Sequence, residues 1–565
     1  MNRLKELRLS KKMTQQECAD LLGISRRTVQ NLERGDADVL SEKFQYYVKT
    51  LEGPKSDGFS TNVLLGDDLK RLTDLARGFR KRDCYARLSE YLRVGPSGKV
   101  CVLYGLRRTG KTTLIYQALD EVGTSHSAYV KAREGNTMAG LIADIDILRS
   151  RGIRYLFIDE VTLISDFINT AGTLSDVYAA LGMRIVLSGT DSLGFALSSA
   201  DELYDRTLTI HTSYIPFGEW SGLLGIDDID LYIEYGGTLK AENMRFDDPD
   251  RDRDEVAFRD EESTRKYIDT AIVRNIQRSL ENDRFGSRFA HLRALYENDE
   301  LTNAINRIIE DMNHEFLRNV ITRPFRSHDL GSSRQILTHS REPELRQALG
   351  NVDEEEILSK LKGILDVKEK DEQRMEVTDE AMKQIKRYLF ELDLIKEVNV
   401  FYGDGSKGKR VVFTQPGMRY AITKALVYSL MQDGGFRSLR ERDRVAITQT
   451  ILGDVKGRML EDIVLLETSL SQRAKTVFKF VDYVKGEFDM VVYDPKSGNT
   501  EAYEVKHSKA LSFEAQTRHL RNPELGRVLE DSFGPISLRC VLYRGEDQSV
   551  DGIKYGNVEK YLKNR

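Results

Sequence analysis

Eight residues constrain this chain more than any others: Gly105-Leu-Arg-Arg-Thr-Gly110-Lys111-Thr112 spells the pattern G-x-x-x-x-G-K-[ST]. The apolar run Val100–Tyr104 precedes it and the helical run TLIYQAL follows. In that context the spacing demands a strand, a glycine-rich loop and the start of a helix, because backbone N–H groups at a helix N-terminus wrap phosphate oxygens. Lys111 would reach the β- and γ-phosphates and the Thr112 hydroxyl would bind magnesium, with Gly105, Arg107, Arg108, Gly110 and Thr113 completing a nucleotide-binding set. Further on, YLFIDE reads as a buried strand with Asp159 and Glu160 at its carboxyl end, where open α/β sheets bind ligands. Asp159 would hold magnesium through water, and Glu160 would polarise the attacking water as general base. A glycine-rich turn and an acidic strand end arising by chance is the bland alternative, and the order of the pieces disfavours it.

The whole chain is much larger than this one unit. At about 100–200 residues per domain, 565 residues imply about three to five domains. Lys plus Arg number 85 and Asp plus Glu 90, a net charge of −5, so any contact with nucleic acid must come from a local basic patch. No apolar run approaches a membrane span and no secretory h-region follows the first residues, so a cytoplasmic protein without membrane contact is expected. Cys18, Cys84, Cys101 and Cys540 lie far apart and suggest neither a disulfide framework nor a zinc site. Composition shifts divide the chain at 1–53, a linker at 54–62, a βα unit at 63–240, a helical stretch at 241–345, a helix plus hairpin at 346–420, and a last α/β block at 421–565. Residues 247–262 hold nine acids against three arginines and read as a solvated insertion.

At the N-terminus, Leu4, Leu7, Ala19, Leu22, Ile24, Val29 and Leu32 have the spacing of three short helices around one small core, with Gly23 at a turn. Residues 1–34 carry eight basic and four acidic side chains, a local +4. This segment resembles the helix-turn-helix of the phage-repressor and xenobiotic-response-element family. The resemblance implies a third helix in the DNA major groove, with Ser25, Arg26, Arg27, Thr28 and Gln30 facing DNA and Gln15 and Gln16 near phosphates. A small bundle used for self-association is the alternative.

Three further features accompany the phosphate loop: the pair Arg107-Arg108 inside it, the tripeptide Ser188-Gly189-Thr190 ending the strand RIVLSG, and Arg206 followed by Ile215-Pro-Phe-Gly-Glu-Trp220 and YIEYGGT. Together they resemble the archaeal-type ATPases of the AAA-like class, which implies ATP and magnesium as ligands. By that resemblance Thr190 would report the γ-phosphate and Arg206 would sense or complete the nucleotide site. An ordinary surface ion pair is the alternative for Arg206. No long second arginine-finger motif is evident, which leaves a homo-oligomer with a shared site an open question.

Members of this family often carry a winged helix, and TDEAMKQIKRYLFELDLI with the hairpin Lys396–Thr414 looks like one, its Lys407, Lys409 and Arg410 able to touch phosphate. Beyond it, GRMLEDIVLLE puts Glu461 on an amphipathic helix, GEFDMVVYD puts Asp489 early in a strand, and EAYEVKHS puts Glu504 and Lys506 on one face of the next strand. The series Glu, Asp, Glu-x-Lys resembles the PD-(D/E)xK nuclease superfamily, although Phe488 stands where the superfamily name has proline. The resemblance implies that Asp489, Glu504 and the Val505 carbonyl coordinate magnesium, that Glu461 completes the shell, and that Lys506 orients a water and stabilises charge on the phosphodiester. An exposed hairpin with charges on its wet face is the alternative.

The expected fold class is therefore multidomain: an α helix-turn-helix, an α/β P-loop ATPase with helical lid, a winged helix, and an α/β restriction-endonuclease-like domain. The expected activity is a DNA-binding ATPase coupled to a metal-dependent nuclease-like domain, with defence against foreign DNA as a role. The alternative is an ATP-responsive transcriptional regulator whose nuclease-like domain does not cut.

Overall fold

The computed structural model describes residues 5, 8, 13–22, 26–34, 58–164, 166–190, 203, 205–239, 258–282, 290–326, 377–432 and 440–565. Ser25, Gly23, linker residues 54–57, most of the acidic run and residues 346–376 lie outside them, as do the side chains of Arg26 and Arg27.

At the N-terminus, helices Gln15–Leu22 and Arg26–Arg34 bury Cys18, Ala19, Val29 and Leu32 between them. The first helix starts on a capping pair: Thr14 N donates to Glu17 Oε2 at 2.6 Å and Glu17 N to Thr14 Oγ1 at 3.2 Å, satisfying two backbone donors that a helix start otherwise leaves without partners.

The next unit is a six-stranded sheet built from β1 (Val63–Leu64), β2 (Val100–Tyr104), β3 (Ser127–Lys131), β4 (Tyr155–Asp159), β5 (Arg184–Gly189) and β6 (Thr207–His211). Its order is β1-β3-β4-β5-β2-β6; β1 runs antiparallel at the edge and the other five strands are parallel. Strand alternation explains why these runs are apolar throughout: Val100, Val102, Leu156 and Ile158 join one core with the helix Met138–Ser150, while Cys101, Leu103 and Phe157 join another with the helix Lys111–Val122. Because β5 lies between β2 and β4, the carboxyl ends of all three strands meet at one edge.

A helical region follows, including Glu261–Ile268, Arg274–Asn282 and Leu301–Arg326, and shares a core with the helix Asp379–Glu391. Next come β7 (Ile395–Tyr402) and β8 (Lys407–Phe413), a hairpin. The last region runs helix Glu441–Ser471, β9 (Thr476–Asp482), β10 (Gly486–Asp494), β11 (Asn499–Val505), helix Pro523–Phe533 and β12 (Ile536–Tyr543), then β13 (Gln548–Val550) and β14 (Ile553–Asn557). Strands β9, β10 and β11 form an antiparallel meander and β12 returns parallel to β11.

The hairpin does not project alone. β7 pairs with β9 in parallel, Asn399 opposite Phe478 and Tyr402 opposite Val481, giving one eight-stranded sheet in the order β13-β14-β12-β11-β10-β9-β7-β8. Lys409 pairs with Glu397 at 2.5 Å and Arg410 with Asp462 at 2.8 Å, so two of the three candidate wing cations have carboxylate partners within the chain, while Lys407 lies over the Phe401 ring. The long helix packs on one face of this sheet and shares its core with Ile215, Phe217, Trp220 and Tyr232, which follow β6. No helix among the described residues is long and apolar enough to cross a membrane.

Candidate functional site

The glycine-rich loop joins β2 to the helix Lys111–Val122. Gly110, at the helix start, has φ +87°, a conformation that side chains rarely adopt. Gly105 is tight as well: a Cβ there would come within 2.5 Å of Thr212 Oγ1. Lys111 is 6% exposed, and its Nζ donates to the Gly105 and Leu106 carbonyls at 2.8 Å each. Burial pushes this amine down to about 8, partly offset by Glu160 and Asp159.

At the end of β4, Asp159 is buried and fully engaged. Thr112 Oγ1 donates to its Oδ2 at 3.1 Å, Tyr129 O–H at 3.0 Å and Lys131 Nζ at 2.6 Å, while Ser188 Oγ donates to Oδ1. Burial alone would raise its pKa; Lys131, Ser188 and Tyr129 outweigh burial and hold it below the usual carboxylate value. Glu160 adopts φ +57°, and its Oε2 accepts from Thr190 N at 3.4 Å and Thr190 Oγ1 at 3.3 Å. Lys111, Thr112, Asp159, Glu160 and Thr190 are thus brought together at one sheet edge, as the sequence pattern implies.

Arg206 is not at that edge. It precedes β6, its carbonyl accepts from Val100 N at 2.9 Å, and its guanidinium pairs with Asp176 at 2.8 Å. Since β6 runs parallel to β2, Arg206 sits at the start of β2, about 16 Å from this chain's own loop at about 3.3 Å per residue, and within the chain it forms an ion pair.

Two residues at this edge carry no motif. Lys131 closes β3 on Asp159, and only the sheet order makes it a neighbour. Arg82 is 5% exposed; it forks onto Glu219 at 2.8 and 2.9 Å and donates to the carbonyls of Thr109, Thr212 and Tyr214 at 2.7–2.9 Å. It ties the phosphate loop to the segment after β6. Above the loop, Leu239 N donates to the Arg108 carbonyl at 2.8 Å and Tyr267 O–H to the Arg107 carbonyl at 3.1 Å.

In the helix-turn-helix, Gln30 Nε2 donates to Gln15 Oε1 at 3.1 Å and Gln15 Nε2 to Glu33 Oε2 at 2.9 Å. Glu33 also receives Arg8, at 2.5 and 3.2 Å. The two glutamines therefore brace the two helices against one another. Gln16 is exposed and Thr28 half-buried.

A second constellation lies at the edge of the eight-stranded sheet. Asp489 and Glu504 are each 2% exposed, and Glu461 is 7% exposed. Lys506 Nζ lies 2.5 Å from Glu504 Oε2 and 3.4 Å from Asp489 Oδ2, and Val505 N donates to the same Asp489 oxygen at 2.9 Å. Asp489, Glu504 and Lys506 therefore share one pocket. Burial and the neighbouring Asp489 push the Glu504 carboxyl up. Burial works against the Lys506 charge, but Glu504 and Asp489 outweigh it and hold its pKa above the usual lysine value. His519, whose Nδ1 is 3.3 Å from Glu504 Oε1, is likewise raised by that carboxylate against the effect of burial. Glu461 is linked to Asp489 through Lys479, and its charge also acts on Lys506. Lys479 and His519 carry no sequence motif; the only signal for Lys479 is its place opposite Phe478 and Phe480 in a period-two strand. Among the described residues no group of three or more His, Cys, Asp or Glu is arranged to hold a metal ion. The donors fit at most an ion held by Asp489, Glu504 and a main-chain oxygen, and Glu461 as a direct ligand does not fit.

Comparison with known proteins agrees with two of these units. Residues 97–221 match the family model described as an AAA domain, and residues 4–45 match a helix-turn-helix model. The chain thus has a DNA-binding ATPase-like architecture, a helix-turn-helix unit followed by an AAA domain. Among solved structures, the Orc1 protein of Aeropyrum pernix, determined in complex with DNA, is similar at 17% identity, over 64% of this chain and 91% of that one. Its TM-score of 0.18 is too low to position any residue. No curated protein matches the chain.

Proposed function

We propose that the chain is an ATPase that docks on DNA through residues 1–53 and couples ATP binding and hydrolysis to a metal-dependent phosphodiesterase site in residues 421–565, in defence against foreign DNA. The observation that carries the nuclease part is the convergence of Asp489, Glu504 and Lys506 in one buried pocket, on a helix, a three-stranded meander, a helix and a parallel fourth strand. Asp489 and Glu504 would hold a magnesium ion; when bound, it supplies hard positive charge to a phosphodiester oxygen and acidifies a water. Lys506 would orient that water and stabilise the negative charge that builds on the oxygens of the pentacoordinate phosphorus. In the ATPase unit, Lys111 and Thr112 would hold the phosphates and a magnesium ion, Asp159 would support that ion, and Glu160 would accept the proton of the attacking water.

A reading without cleavage has one observation in its favour: the Asp489 and Glu504 carboxylates are already neutralised by ammonium groups. Under that reading the chain is an ATP-responsive regulator. Incubating the full chain with plasmid DNA, magnesium and ATP separates the two. Cleavage that disappears in Asp489→Ala and Lys506→Ala, with ATP hydrolysis intact in both, supports the nuclease; no cleavage by the parent with any nucleotide leaves the regulator.

A further inference from the structure

Lys479 is buried deeply enough to need an explanation. On β9 the two-residue period sends Phe478 and Phe480 into the core with the helix Pro523–Phe533 and Lys479 to the opposite face, beneath the long helix Glu441–Ser471. Its side chain is 4% exposed, and a lysine is almost never buried so far without compensating charge. It has three carboxylate partners: Glu487 Oε2 at 3.1 Å, Asp489 Oδ1 at 3.4 Å and Glu461 Oε2 at 3.6 Å. Arg458, one turn before Glu461 on the long helix, also binds the Glu461 Oε2.

The two oxygens of Asp489 are thereby divided. Oδ1 faces Lys479, while Oδ2 faces Val505 N and Lys506 Nζ. In two-metal phosphodiesterase sites a pair of ions about 3.5–4 Å apart clamps the attacking and leaving oxygens. Here the position between Asp489 Oδ1 and Glu461 is filled by an enclosed ammonium. The position between Asp489 Oδ2 and Glu504 is filled by Lys506, whose side chain is 30% exposed and so has room to withdraw.

We infer that Lys479 is a built-in cation occupying the place of a second metal ion, so that this pocket accepts no more than one divalent ion, on the Asp489 Oδ2 and Glu504 side. The inference rests on the metal-site reading given above. Removing the Lys479 charge opens the second position, because Glu461, Glu487 and Asp489 then lose the ammonium that all three share.

The experiment uses the full, nucleotide-free chain and Mn2+ as the probe. Bound Mn2+ per chain is counted by equilibrium dialysis, and the ions belonging to this pocket are those lost in Asp489→Asn. One ion is expected in the parent and one more in Lys479→Met, with Lys479→Arg behaving as the parent. In chelator Lys479→Met melts below the parent, and Mn2+ raises its midpoint by more than it raises the parent's. Two pocket ions in the parent overturn the inference and leave the nuclease reading standing. If the parent holds none, the metal-dependent reading fails, and a gain of one ion in Lys479→Met still upholds the role of Lys479. A folded Lys479→Met with no gained ion and no rescue by Mn2+ overturns it. If that variant does not fold, Lys479→Gln is counted in its place by the same criteria.

Discussion

Replacing Arg82 with alanine removes the fork that joins three separate parts of the ATPase unit. The guanidinium is 5% exposed and makes five hydrogen bonds within 2.7–2.9 Å, two to Glu219 and three to main-chain carbonyls. Breaking a buried pair by deleting one partner costs about 3–5 kcal/mol, because Glu219 is left as an uncompensated buried charge. In a unit of this size each kcal/mol moves the melting midpoint by about 2–4 °C, so Arg82→Ala should melt about 6–20 °C below the parent. Adding Glu219→Leu to Arg82→Met removes the stranded carboxylate but not the three carbonyls that lose their donor, so the double variant should recover only part of the loss. ATP binding reports the local effect. The Thr109 carbonyl belongs to the phosphate loop, and losing a charge-assisted hydrogen bond of about 1.5 kcal/mol there should weaken ATP affinity about tenfold. Calorimetric melting and nucleotide titration on the same samples make the test. An Arg82→Ala variant melting within about 2 °C of the parent would refute the assignment of a buried, uncompensated Glu219.

Lys111→Ala should abolish ATP hydrolysis, while Glu160→Gln should keep ATP binding and slow turnover; normal turnover in both would remove the ATPase assignment. Arg26→Ala with Arg27→Ala should weaken DNA binding and flatten its salt dependence by about two counterions, read from affinity across a salt series, and unchanged affinity at every salt would make residues 1–53 an interaction module. Glu467, buried against Phe217 N, has its carboxyl pushed up to about 8, by burial first of all. Its folded pKa lies above its ordinary value of 4.5, so its contribution to stability is complete below about 4.5 and is lost as pH rises through about 8. Melting midpoints across that range should fall for the parent and stay flatter for Glu467→Gln.

Much of the nucleotide edge was legible because its parts are local in sequence: a loop needing glycines at Gly105 and Gly110, and acids closing an apolar strand at Asp159 and Glu160. Glu504 and Lys506 were legible for the same reason, being two residues apart on one strand. What sequence could not place were partners supplied by topology. Lys131 reaches Asp159 only because β3 lies beside β4, and Lys479 reaches Asp489 only because β9 lies beside β10. For Arg206 the family pattern gives an order along the chain, not the end of the strand at which the residue sits. The hairpin Lys396–Thr414 was read correctly as a hairpin, but alternation within β7 says nothing about which strand pairs with its outer edge.

That outer edge has a consequence during synthesis. Asn399 pairs with Phe478, and 478 − 399 is 79 residues, so β7 leaves the ribosome long before the strand that covers it. At about 5–20 residues per second the wait is about 4–16 s, during which β7 presents a row of exposed backbone donors and acceptors of the kind that pairs with other chains. On its other side β7 is already covered by β8, which carries Lys407, Lys409 and Arg410. Positive charge along an edge strand discourages stacking of one nascent hairpin on another. These side chains, read from sequence as phosphate contacts, would then guard the half-built sheet until β9 arrives.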